Sequence, residues 1–217
     1  HHSRHEDRHG YQFGQTCYDV NTDNLPAVRL SWDEATAFCA WLAKKSGKNI
    51  SLPSETQWEW ACRATRATPF WFGSHGTDFH LFSNLADQRL REYADDSAKG
   101  KYRYFSWQKI PKPNRYEAYA PRVDDIDDGS FLAQAPKKYK PNPWGLYDMH
   151  GNVAEWTRSA YRPYPANHSP SSNPPDALRV VRGGSWRDRP HRATASHRLP
   201  YPRFQKVYNV GFRIIAE

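Results

Sequence analysis

Apolar positions recur at helical spacing over two stretches of this chain and almost nowhere else. Ser31-Trp32-Asp33-Glu34 has the form of a capping box, in which the serine accepts from the third helical N–H and the glutamate reaches back to the cap. Ala35, Phe38, Cys39 and Leu42 follow at i, i+3, i+4 and i+7, Lys44 and Lys45 suit the negative end of the helix dipole, and Gly47 can supply a left-handed cap. The pattern predicts an amphipathic helix over 32–46 with those four residues facing a core. A second cap, Ser54 with Gln57 three residues on, follows Pro53 and opens a short helix that places Trp58, Ala61 and Cys62 on one face.

From residue 66 to about 142 no period holds, and the chain is rich in Gly, Pro, Asp and aromatics. A loop of that length inside a compact domain has to be pinned, by its aromatics, by metal ions or by both. Strand-like runs return at 179–182, 193–198 and 210–215, and no internal repeat is present. Two helices beside late strands indicate an α+β domain with little regular structure.

Composition narrows the class. No Pro/Gly/Ser-rich linker with a composition change on either side cuts the 217 residues in two, so one core and one domain are expected over 26–217, with 1–25 read as a His-rich arm or a remnant of upstream sequence. Aromatics make up 15%, including 9 Trp and 13 Tyr, too many for a disordered chain. No stretch reaches the roughly 20 apolar residues of a membrane span. The net charge of +8 favours polyanions without naming one. Its densest basic and aromatic mixture, 99–109, interleaves Lys99, Lys101, Arg103 and Lys109 with Tyr102, Tyr104, Phe105 and Trp107 in the manner of a base-stacking surface. A solvated loop with its aromatics turned inward is the simpler reading, and nucleic acid is not the expected partner. Cys17, Cys39 and Cys62 are odd in number and show no CxxC spacing, so neither a disulfide framework nor a zinc knuckle is indicated; Cys39 and Cys62 fall on helix faces where cysteine acts as a small hydrophobe.

Two oxygen-rich segments are candidate chemistry. Gly145 and Gly151 bracket a short apolar segment, and Asn152 and Glu155 then set two side-chain oxygens three residues apart, suited to a hard cation such as calcium. The alternative is that Asn152 makes a turn and Glu155 pairs with an arginine. Asp124, Asp125, Asp127 and Asp128 pack four carboxylates into five residues, which repel unless solvated or met by cations.

Four segments, 51–64 (SLPSETQWEWACRA), 142–157 (NPWGLYDMHGNVAEWT), 179–186 (RVVRGGSW) and 209–214 (NVGFRI), in this order and spacing, resemble the sulfatase-modifying-factor, or formylglycine-generating-enzyme-like, family. The resemblance implies a variant of the C-type lectin fold, with two helices on a twisted antiparallel sheet. It implies one or two structural calcium ions: one held by Asn152, the Val153 carbonyl and Glu155, and a second by Asn84, the Leu85 carbonyl and Asp128 in the Asp128-Gly129 turn. It also implies an extracytoplasmic location.

Active members of that family carry two cysteines shortly after the GGS motif, which bind copper as thiolates. Here residues 182–198 (RGGSWRDRPHRATASHR) contain none, so copper and formylglycine synthesis are not expected. What the resemblance leaves is the family's ligand groove, lined here by Trp186, Arg187, Asp188, Arg189, His191, Arg198, Tyr201 and Arg203, with Phe204 and Tyr208 beside them. The resulting expectation is a calcium-stabilised binding or assembly module for a protein, peptide or acidic glycan, or a subunit of a larger complex. The rival is an oxidoreductase of altered, nonheme-metal chemistry, of the sulfoxide-synthase or siderophore-maturation type, for which His191, His197 and the N-terminal His1, His2, His5 and His9 are the available imidazoles.

Overall fold

The computed structural model describes residues 22–89, 123–130, 132–163 and 178–216, together with the backbone of 12–13 and 16–17. The N-terminal histidines, the 99–109 stretch, Phe131 and the side chain of Cys17 lie outside the described residues. Strands β1 (Gln12–Phe13) and β2 (Thr16–Cys17) pair antiparallel at the start of the chain.

Helix α1 (Trp32–Ser46) forms where its caps place it. Ser31 Oγ accepts from the Glu34 N–H, the Ser31 N–H donates to the Glu34 carboxylate at 2.8 Å, and Gly47 closes the last turn at φ 69°. Such a cap contributes about 1 kcal/mol. Ala35 and Cys39 are buried as the period predicts, but Phe38 is 41% exposed and stands beside Trp41 on the outer face. That departs from the four-residue stripe: Ala35 and Cys39 are buried, Leu42 packs half-buried against the core, and Phe38 meets only the edge of it at Phe212. Helix α2 (Glu55–Arg63) has the same reciprocal cap between Ser54 and Gln57 and buries Trp58 and Cys62.

Between the helices lies β3 (Ile50–Ser51), which pairs with the last strand, β8 (Ile215–Ala216). The main sheet comprises β4 (Ala154–Ala160), β5 (Arg179–Arg182), β6 (Leu199–Tyr201) and β7 (Val210–Phe212), in the order β6-β5-β4-β7. It is mixed, not antiparallel throughout, because β7 runs parallel to β4 with Trp156 opposite Phe212. The expected strand over 193–198 is absent: these residues form bends and a turn after a 3-10 turn (Pro190–Arg192), and the strand begins at Leu199. Longest of the strands, β4 escapes sequence detection because its first four residues are all buried and show no alternation.

Trp156, Val181, Val210 and Ala154 meet Ala35, Cys39 and Leu52 of the helical side to form the main core. The irregular stretch after α2 is pinned by aromatics, with Phe70, Phe72 and His150 ring to ring. It is also pinned by one close backbone crossing. Asn84 bridges Gly151, whose φ of 78° favours glycine and whose missing side chain would collide with the Asn84 carbonyl oxygen.

Candidate functional site: a buried carboxylate pocket beside a cationic turn

The Asn84–Gly151 crossing brings the two oxygen-rich segments side by side and gives them different fates. Asn152 takes a left-handed turn at φ 61°. Its Oδ1 accepts from the Gln134 N–H at 2.8 Å and its amide donates to the Gln134 carbonyl at 3.0 Å, so it fastens the 132–134 loop. Glu155 instead accepts from the Arg213 guanidinium at 2.5 and 2.7 Å and from the Trp58 indole N–H at 2.6 Å. Asn152 and Glu155 therefore have disjoint partners, and the guanidinium meets the carboxylate charge as in the alternative reading. Val153 packs in a cluster with Val28, Ala86 and Trp186. The donor set at Asn152, Val153 and Glu155 does not fit a cation as it stands.

The Asn84, Leu85 and Asp128 segment does fit. Asp128 is buried; its carboxylate accepts from the Leu85 and Ser130 N–H groups at 3.0 and 2.8 Å and lies 3.2 Å from the Tyr139 hydroxyl. Asp87, equally buried, accepts from the Asp128 N–H at 2.6 Å. Burial first, then the neighbouring Asp87 charge, pushes the Asp128 carboxyl up to about 7. Asn84 directs its amide N–H groups to the Leu132 carbonyl and to Asn152, which leaves its Oδ1 buried without a partner. Among the described residues no cation lies at ion-pair distance from these two interior carboxylates, and with the orphaned amide oxygen they make a donor set that suits a hard, oxygen-loving cation. The sequence missed Asp87, three residues after Asn84, because a lone Asp has no local signal.

The GGS turn leads from β5 into the groove. Gly184 holds φ 67°, and a side chain there would meet Ala193. Asp188 folds back on the turn, accepting from the Ser185 N–H at 3.0 Å and the Ser185 hydroxyl at 2.6 Å, and faces Arg192 at 3.6 Å. Trp186 is buried and lies 6.2 Å from Tyr208, whose ring also carries the Arg187 guanidinium at 5.6 Å. Arg189 and His191 are exposed. Of the other expected groove residues Phe204 is 73% exposed, whereas Arg198, Arg203 and Tyr201 are engaged by the fold. Arg198 pairs with Glu55 and donates to the Arg162 carbonyl at 2.7 Å, Arg203 grips Asp33 at the start of α1 at 2.6 Å, and Tyr201 sits edge-on to Trp156. The outward cations of the expected groove are thus Arg187, Arg189 and Arg192 of one turn, with His191 exposed beside them.

Arg182, which the sequence showed only as a strand residue, is the largest buried cation. It donates to Glu55 at 3.2 Å, to Glu59, and to the carbonyls of Ala195 and Ser196, and so ties the groove segment to α2. His150 is fully buried: Nδ1 donates to the Ala193 carbonyl at 2.7 Å, Nε2 accepts from the Trp71 N–H, and burial lowers its pKa to about 4. Cys62 lies 3.4 Å from Nε2, but burial pushes its thiol far up, so the pair is a packed contact and not a reactive one.

Residues 3–217 match the family model described as the sulfatase-modifying factor enzyme 1-like domain. The chain belongs to that family. The formylglycine-generating-enzyme-like fold is likewise seen in solved structures: PvdO from Pseudomonas aeruginosa superposes with a TM-score of 0.65 at 24% identity over 94% of this chain and 66% of that one. Treponema denticola variable protein 1 superposes at 0.64 and 19% identity, over 94% and 76%. Curated members of the family include the inactive C-alpha-formylglycine-generating enzyme 2 of Mus musculus, 29% identical over 87% of this chain and 48% of that protein. The formylglycine-generating enzyme of Streptomyces coelicolor is 30% identical over 75% and 42%. The chain spans about half the length of these curated relatives.

Proposed function

We propose that this family member is a cation-stabilised binding or assembly module without formylglycine-generating activity. Its ligand is a protein, peptide or acidic glycan met by the 186–192 turn. The observation that carries the reading is the chemistry of that turn: where oxidation needs a thiolate pair, this segment offers Asp188, closed on Ser185, between exposed Arg187 and Arg189. Of the described cysteines, Cys39 and Cys62 are both buried in the helical core. The similarity to a relative named as inactive supports the same reading. The Asn84, Leu85 and Asp128 pocket, with Asp87 behind it, is where we place a structural calcium ion. The ion's charge there would offset the interior carboxylates and fix the loop from which the Ala86 N–H reaches the Asp188 carbonyl at 3.1 Å. An extracytoplasmic, calcium-replete setting belongs to this proposal.

The test is to incubate the chain with a cysteine-containing sulfatase-type peptide, copper and oxygen, and to look by mass spectrometry for conversion of the cysteine. No conversion is expected, together with a partner whose affinity falls about tenfold or more on Arg189→Ala, the loss of one charged anchor. Copper-dependent turnover refutes the proposal.

A further inference from the structure

The outer face of α1 carries large apolar side chains that the core leaves exposed. Trp41 is 54% and Phe38 41% exposed, and their rings touch at 5.6 Å; Phe38 in turn meets Phe212 of β7 at 5.6 Å, making a contiguous aromatic surface. Lys45 lies 4.9 Å over the Trp41 ring, and Lys44 and Lys48 stand exposed at the same end of the helix. The sequence carries no Asp or Glu between Glu34 and Glu55, and Glu34 itself is paired with Lys206. A surface of this make-up costs solubility unless something covers it.

We propose that this face, Phe38, Trp41, Lys44, Lys45 and Lys48, docks the domain on an anionic lipid surface. The charge decides the occupant: three lysines without a nearby acid in sequence call for a negative partner. The kind of cation decides between lipid and protein, because lysine is depleted from protein interfaces. At a bilayer surface its long stem lies along the apolar boundary while the ammonium reaches lipid phosphates. Tryptophan and phenylalanine suit the same boundary, where an amphipathic ring sits at headgroup depth. The contact is peripheral, since no described helix is long and apolar enough to cross a membrane.

The test is sedimentation of the full chain with phosphatidylcholine vesicles, with and without phosphatidylglycerol. Binding is expected only with the anionic lipid. It should fall about a hundredfold in a Lys44→Gln, Lys45→Gln, Lys48→Gln variant, each lysine contributing roughly fivefold, and roughly tenfold or more in Phe38→Ala, Trp41→Ala. A matched control, Arg66→Gln, Lys137→Gln, Lys140→Gln, removes the same three charges from a chain of net +8 and should bind nearly as well as the parent. The fluorescence difference between the parent and Trp41→Phe should shift to the blue on adding anionic vesicles, and circular dichroism checks that each variant is folded. Equal loss in the two triple variants, no blue shift, or no binding overturns the proposal. So does retention of a polyglutamate peptide by the same lysines without vesicle binding, which assigns the face to an acidic protein segment.

Discussion

Replacing Arg182 by methionine keeps most of the side-chain volume and removes the charge at the centre of the groove's support. The side chain is fully buried, with its guanidinium 5.4 Å over the Trp58 ring, so the substitution strands whatever it had satisfied. Glu55 keeps Arg198 and Glu59 keeps Arg63 at 2.8 Å, so neither carboxylate becomes an unpaired charge. The buried Ala195 carbonyl loses its donor, at about 1–3 kcal/mol, while the Ser196 carbonyl, on an exposed residue, can turn to water. Against this, methionine relieves the desolvation of a guanidinium whose Nε is already buried without an acceptor. The balance, the lost carbonyl donors less the relieved desolvation, is about 2 kcal/mol. For a chain of this size that lowers the melting temperature by roughly 4–8 °C. Scanning calorimetry measures the drop, and a double-mutant cycle with Glu59→Gln should show a coupling of about 1 kcal/mol or more. Segment 193–198 should also become a site of limited proteolysis. A fall of less than about 2 °C, or additive effects in the cycle, would refute the argument that Arg182 staples the groove to α2.

Calcium near a hundredfold excess over its dissociation constant should add about 3 kcal/mol, seen as a rise in melting temperature that EGTA reverses and Asp128→Asn abolishes; an unchanged melt in EGTA rules the pocket out. His150 is neutral when folded, and its folded pKa of about 4 lies below the ordinary 6.5. The unfolded chain therefore takes the proton first, so stability is full above about pH 6.5 and falls by up to about 3 kcal/mol as pH drops toward 4. The slope over that window should flatten in His150→Gln. Cys39 and Cys62 should resist a thiol reagent until the chain unfolds, and rapid labelling of either in the native state contradicts the packing.

The helices were legible because their determinants are local: each capping box lies within four residues, and Cys39 and Cys62 follow the period. Phe38 obeys the same period but is exposed, since period alone does not say how wide a face the sheet covers. Glu155 shows the opposite limit. Its charge and spacing allow a metal or an arginine, and the choice rests on Arg213, 58 positions away, which no local pattern reveals. At Asn84 and Asp128 the resemblance named the residues, whereas the physical reason for a cation there, an orphaned amide oxygen beside two buried carboxylates, appears only once the loop is folded. Arg182 was invisible as a staple because its two carbonyl partners lie in the segment expected to be a strand.

The net charge of +8 is divided by the fold into cations that hold it together and cations that face outward, and salt should tell them apart. Arg182, Arg198 and Arg213 are matched by Glu55, Glu59 and Glu155 at contact distance within or against the core, and add little to the outward field. Among the described residues, outward cations include Arg187, Arg189 and Arg192 of the groove turn and Lys44, Lys45 and Lys48 of α1, all exposed. Screening weakens exposed charges across a Debye length of about 10 Å at moderate salt and leaves buried pairs nearly untouched. Raising sodium chloride should therefore change the melting temperature by no more than about 2 °C, while association at the turn and at the α1 face weakens steeply. Melting curves and binding isotherms along one salt series make the comparison. Melting that collapses in step with binding would mean that the buried pairs are solvated and that the groove is not held as described.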